Sequence, residues 1–311
     1  MTYSIDKKLV IAVSSSALFD LRESDKVFRE QGAKAYKVYQ EKHLDTRLNK
    51  GVAFPFVRRF LSINARFPKE NPVEVVLLSR NSAVTGKRVF RSIQHYDLNI
   101  TRAAFTQGKS PYGYIPAFNA SLFLSANEGD VLKAIASGYP AGMVLPSHVV
   151  DDLKDKELRI AFDFDGVIAD DESESIYQGG ELNDFVQHEV TNVKKPHNPG
   201  PLADLFKKLS FLQALEEQEE IKNKDYQRMI RTTIITARSA PTHERVITTL
   251  ENWGVSATET FFLGGMKKER ILNVLKPHMF FDDQKTHLES QAGDIPMVHI
   301  PFGITNNAYN P

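Results

Sequence analysis

Short apolar runs that stop abruptly at a polar residue recur through the second half of the chain. Leu158-Arg159-Ile160-Ala161-Phe162 gives way to Asp163, Arg231-Thr232-Thr233-Ile234-Ile235 to Thr236, and Met279-Phe280-Phe281 to Asp282-Asp283. Their β-branched and aromatic content predicts buried strands at 159–163, 231–236 and 279–282, with a fourth at 296–300. Residues 242–253 and 268–275 place apolar side chains at helical spacing instead. Strand–helix alternation predicts an α/β unit, a parallel sheet with helices on both faces. The stretch between the first two strands is rich in helix formers and too long for an ordinary crossover. It predicts a helical cap inserted at about 171–228 over the strand tips.

The first half repeats this pattern. Leu9-Val10-Ile11-Ala12-Val13-Ser14 lies beneath Leu158-Arg159-Ile160-Ala161-Phe162-Asp163, and the same offset places Tyr36 under Phe185 and Gly51 under Gly200. After a short insertion a second constant offset places Ser79 under Thr236, Ser82 under Ser239, Gly108 under Gly265 and Phe123 under Phe280. Matched spacing over so long a stretch predicts an internal duplication. The boundary falls in the polar, proline-containing segment 145–157, giving domains at 1–150 and 151–311. In the first copy Ser14 and Ser16 stand for Asp163 and Asp165, and Ser125 and Ala126 for Asp282 and Asp283. It has lost the carboxylates and is expected to be a non-catalytic platform.

Composition removes several classes. The formal net charge is +0, with 39 basic and 39 acidic residues, so no electrostatic nucleic-acid binder is expected. With 0 cysteines there is no disulfide framework and no zinc thiolate site. Lys7-Lys8 before Leu9–Ala17 imitates a signal-peptide core. That run is too short to span a bilayer and is better read as a buried strand, so no membrane role is expected. The 9 histidines show no paired helical spacing, so no histidine metal site is expected either.

What remains is chemistry at the strand tips, where α/β sheets bind ligands. Asp163 and Asp165 would diverge on a regular strand; a bend helped by Gly166 lets both face one substrate. Such a pair can supply a nucleophile, a metal ligand and a general acid for phosphoryl transfer. Thr236 and the backbone N–H groups after it can hold a phosphate. Lys267 or Lys268 can neutralise it. Asp282 and Asp283, with Asp163, offer the oxygen ligands Mg²⁺ takes. Each piece has an ordinary reading as well: a turn, a helix cap or a solvated charge.

Together and in this order, the four motifs resemble those of the haloacid dehalogenase-like phosphohydrolases. The stretches Leu77–Ser82, Ile100–Thr106, Phe123–Glu128, Thr236-Ala237-Arg238-Ser239 and Phe280–Gln284 are similar to the cytosolic 5′-nucleotidase I family, from about Leu9 to Gly303. One departure is Asp163-Phe164-Asp165-Gly166, where the animal members read Asp-Gly-Asp-Ala. The resemblance implies a haloacid dehalogenase-like sheet with an inserted cap. It also implies Asp163 as nucleophile, Asp165 as acid and then base, Thr236 and Lys268 on the phosphate, and Mg²⁺ held by Asp163, Asp165 (through its backbone carbonyl) and Asp282 or Asp283. Ala237, Arg238 and, in the cap, Phe185 and Lys195 are the candidate substrate contacts. Expected partners are a nucleoside monophosphate, purine before pyrimidine, a nucleotide effector and a second copy of the chain; the expected location is cytoplasmic. A phosphatase for another small ester such as a sugar phosphate, and a non-catalytic nucleotide sensor, are the competing readings.

Overall fold

Strands that are apolar from end to end belong in parallel sheets covered on both faces. The structure, a computed structural model describing residues 4–148, 150–179, 182–289 and 294–309, has such strands in each of two units, Met1–Val144 and Leu145–Pro311.

In the first unit, β1 (Leu9–Val13), β2 (Val73–Ser79), β3 (Arg102–Phe105), β4 (Ala120–Ser125) and β5 (Ala141–Val144) run parallel in the order β3-β2-β1-β4-β5. Val13 pairs with Leu77 on one side and Leu124 on the other. Ser14, Ser79 and Ser125 therefore sit at the same edge of three neighbouring strands. The Ser15 and Ser79 hydroxyls are 2.9 Å apart there.

In the second unit, β6 (Leu158–Phe162), β7 (Ile230–Thr236), β8 (Glu259–Phe262), β9 (Met279–Asp282) and β10 (Met297–His299) are also parallel, in the order β8-β7-β6-β9-β10. Phe162 and Ala161 point to opposite faces. Phe162 stacks on Phe281 with ring centroids 5.2 Å apart and meets Phe206 edge-on at 5.5 Å, under the helix Ala203–Lys222. Ala161 joins Ile235, Phe280 and Met297 against Leu272, Leu275 and Leu288 of the helices Glu269–Leu275 and Lys285–Glu289. Helices thus cover both faces. No helix among the described residues is long and apolar enough to cross a membrane.

The expected strands are present within a residue or two at each end. The edge strand β8 carries no such signal, because an edge needs only partial burial and Glu259-Thr260-Phe261-Phe262 is half-exposed. The segment expected as a cap over 171–228 divides in two. Glu172–Gly179 and Leu182–Thr191 are the inserted helices, whereas Ala203–Lys222 is the crossover helix, returned to the sheet by Phe206.

Candidate active site

The register of β6 assembles the site. Phe162 pairs with Ile234 and Phe281, so Asp163, Thr236 and Asp282 emerge at one edge. Asp163 donates its backbone N–H to the Phe281 carbonyl at 2.8 Å, which continues the ladder one residue past the strand. Gly166 then turns the chain at φ 70°, a left-handed conformation that glycine adopts without strain. Asp283 fills the space beside it: a Cβ on Gly166 would lie 2.7 Å from the Asp283 carboxyl carbon.

Lys268, at the start of Glu269–Leu275, reaches over the strand tips. Its ammonium lies 2.6 Å from Asp163 Oδ2 and 2.8 Å from Asp282 Oδ2. Lys268, not Lys267, is the lysine of the site. Asp282 Oδ1 also accepts the Gln284 N–H at 2.8 Å, an Asx turn just ahead of the helix Lys285–Glu289. His287 Nδ1 stands 3.4 Å from its other oxygen. Asp283 Oδ2 accepts the Thr305 hydroxyl at 2.9 Å. Thr236 Oγ1 accepts the Arg238 N–H at 3.2 Å and is buried.

Three buried carboxylates here face one ammonium. Burial pushes the Asp163 carboxyl up to about 7, with the Asp282 charge adding to it and Lys268 opposing. Burial, then Asp163 and Asp282, hold Asp283 well above the usual carboxylate range. Burial would also raise Asp282, but Lys268 and His287 outweigh it and keep that group ionised. For Lys268 burial is likewise outweighed, by Asp163 and Asp282, and its affinity for the proton rises. Surplus negative charge on hard oxygen donors is what a divalent cation such as Mg²⁺ neutralises. One ligand atom each from Asp163, Asp282 and His287 lie within 4.8 Å of one another. The donor set fits the ion.

Asp165 turns away from this cluster. Arg238 grips it bidentately, Nε to Oδ2 at 2.8 Å and Nη2 to Oδ1 at 2.6 Å. The opposite edge of the same guanidinium is bonded to Glu189 of the cap helix Leu182–Thr191. Glu189 is fully buried and also takes Arg245 at 2.8 Å, the Ser173 hydroxyl at 2.9 Å and His197 Nε2 at 3.4 Å. Burial opposes its charge, yet His197 and Arg238 hold its carboxyl far below the usual range. Sequence reasoning missed Glu189 and Arg245; the only signal was an arginine on the apolar face of 242–253, which a buried helix tolerates only with a carboxylate partner.

The other expected contacts spread out. Phe185 is half-buried on the same cap helix, with Arg238 Cζ 5.4 Å from its ring centroid. Ala237 is exposed beside Thr236. Lys195 is exposed; its carbonyl accepts Arg245 Nε at 2.9 Å and its charge acts on Glu172.

Comparison with known proteins identifies the family. The 5′-nucleotidase family profile matches residues 1–307, and the chain belongs to the 5′-nucleotidase family. Human cytosolic 5′-nucleotidase 1B is 36% identical over 287 residues, which is 90% of this chain and 47% of that protein. The chain thus spans about half the length of the curated relative it matches. No solved structure matches it.

Proposed function

We propose that the chain is a Mg²⁺-dependent 5′-nucleotidase, acting in the cytosol, that hydrolyses nucleoside 5′-monophosphates through an aspartyl-phosphate on Asp163. The observation that carries this reading is the buried cluster of Asp163, Lys268 and Asp282 at the strand tips, in a chain of this family.

Asp163 Oδ attacks phosphorus, forming the acyl-phosphate bond as the bond to the nucleoside 5′-oxygen breaks. Asp165 protonates the departing oxygen. It then takes a proton from the water that hydrolyses the acyl-phosphate and frees Asp163. Lys268, the Thr236 hydroxyl and the backbone N–H groups after Thr236 meet the charge on the transferring group. Arg238 fixes the orientation of Asp165, and Glu189 fixes Arg238. Asp163, the Asp165 backbone carbonyl and Asp282 or Asp283 would hold Mg²⁺. When bound, that ion supplies positive charge against the phosphate oxygens. Chelation with EDTA is expected to abolish phosphate release, and added Mg²⁺ to restore it. Undiminished release in metal-free buffer contradicts the roles of Asp282 and Asp283.

Phe185, whose ring lies beside the Arg238 guanidinium, is our candidate for stacking on the base. Phe185→Ala is expected to raise KM for the preferred monophosphate about tenfold, roughly 1.4 kcal/mol, with little change in kcat. A screen of purine and pyrimidine monophosphates against sugar phosphates tests both points; equal turnover of sugar phosphates would move the substrate class.

The first unit we take to be a duplicate that has lost catalysis. Its serine-lined strand tips carry no counterpart of the Asp163 cluster. Beside them lies a cavity of about 720 Å³ lined by Phe28, Tyr36, Arg80 and Asn81 among others, which would hold the expected effector. A second nucleotide bound per Asp163→Asn chain and lost in Phe28→Ala is the outcome that supports this; unaltered binding rejects it.

A further inference from the structure

The insertion between β6 and β7 leaves the sheet through Asp170 and Glu172 and returns through His197. The two stems touch: Ala169 bridges Pro199, and the Asp170 N–H donates to the Asn198 carbonyl at 3.0 Å. Between them, Asp170, Glu172 and His197 each offer a ligand atom, all within 4.8 Å of one another.

Two of these residues carry buried polar atoms with no hydrogen-bond partner. Asp170 uses Oδ2 to accept from Asn198 at 2.9 Å, but its buried Oδ1 has none. His197, whose side chain is fully buried, directs Nε2 toward Glu189 and Arg238 Nη2, each at 3.4 Å, and leaves Nδ1 without a partner. An unsatisfied buried polar group costs about 1–3 kcal/mol. A cation bound among the three residues would offer both atoms a partner.

The surroundings favour a cation. Asp165, Glu172 and Glu189 face the guanidiniums of Arg238 and Arg245, and Asp170, bonded to Asn198, adds a fourth carboxylate, so carboxylates outnumber them. His188 Nε2 at 3.4 Å and the exposed Lys195 also bear on Glu172. His197 keeps one nitrogen engaged, with Glu189 and Arg238, and the other open, and a metal-bound imidazole likewise uses its second nitrogen for a polar partner. Glu172 is partly exposed and offers an entry path.

We propose that Asp170, Glu172 and His197 form a second cation site, for a divalent ion of the zinc class, that staples the two stems of the cap. One imidazole nitrogen with carboxylate oxygens suits such an ion, in contrast to the oxygen-dominated Asp163 set. The absence of paired histidine spacing concealed the site, because its donors come from separate segments.

The test strips the intact protein with chelator, saturates it with Mg²⁺ and dialyses it against Zn²⁺ or Co²⁺. Metal content, the Co²⁺ absorption spectrum and thermal unfolding are then read. The expected result is one transition ion retained per chain, with a nitrogen-ligand spectrum and a raised Tm. Asp163→Asn should keep it, whereas Asp170→Asn and His197→Gln should weaken it at least ~100-fold. Because His197→Gln removes a buried contact to Glu189 and can unfold the cap, the half-buried Asp170→Asn decides if that variant is lost. No retained ion, retention unchanged in Asp170→Asn, or loss in Asp163→Asn alone overturns the proposal, leaving a bridging water or the first site as the explanation.

Discussion

Replacing Asp163 with asparagine is expected to lower turnover at least ~10³-fold, the scale on which removal of a covalent nucleophile acts. An amide oxygen in the same place cannot attack phosphorus as a carboxylate does. The protein should fold and unfold no less stably than before. Asp163 is one of three buried carboxylates around a single ammonium, and Lys268 keeps Asp282 as a partner at 2.8 Å. Removing one charge relieves repulsion, the usual exchange of stability for activity at a strained site. Phosphate release and thermal unfolding on the same sample check both halves. Near-normal turnover of any monophosphate rejects the acyl-phosphate route, and a large fall in Tm would mean that the turnover loss reports unfolding.

Glu189→Gln is expected to have the largest effect on stability. The carboxylate bonds to Arg238 and Arg245 together, all three buried. Removing one partner from a buried ionic network leaves the rest uncompensated, at a cost of about 3–5 kcal/mol. For a unit of this size that is a fall in Tm of roughly 10 °C. Turnover should fall as well, because Arg238 loses its anchor and Asp165 its fixed orientation. An unchanged Tm would show that the network contributes nothing to the fold; an unchanged kcat at temperatures where the variant is folded would separate it from Asp165.

The sheet was legible because each strand of its buried centre stops at a polar residue of the strand-tip cluster. Leu158–Phe162 is apolar because both faces of β6 are covered, and Asp163 follows at once because the tip is where the sheet ends. The same logic made Thr236 and Asp282 visible. Arg238 was singled out by its place two residues after Thr236, but nothing local reveals that Asp165 and Glu189 occupy both its edges, since Glu189 comes from an insertion whose docking is a tertiary event. The packing of the rest of that insertion was hidden for a related reason. Ala203–Lys222 has the composition of a cap helix, and only Phe206 against Phe162 assigns it to the sheet.

Phe185 and Glu189 are one turn apart on the helix Leu182–Thr191, and both meet Arg238. Residues so spaced share a helix face, so the side chain proposed to meet the base and the side chain that holds Arg238 on Asp165 move as one body. Laboratory evolution toward a different base should then meet strong epistasis on this face. Substitutions at position 185 that tilt the helix would drag the pace of catalysis with them, and broadened variants would gain speed only after a compensating change at position 238 or 189.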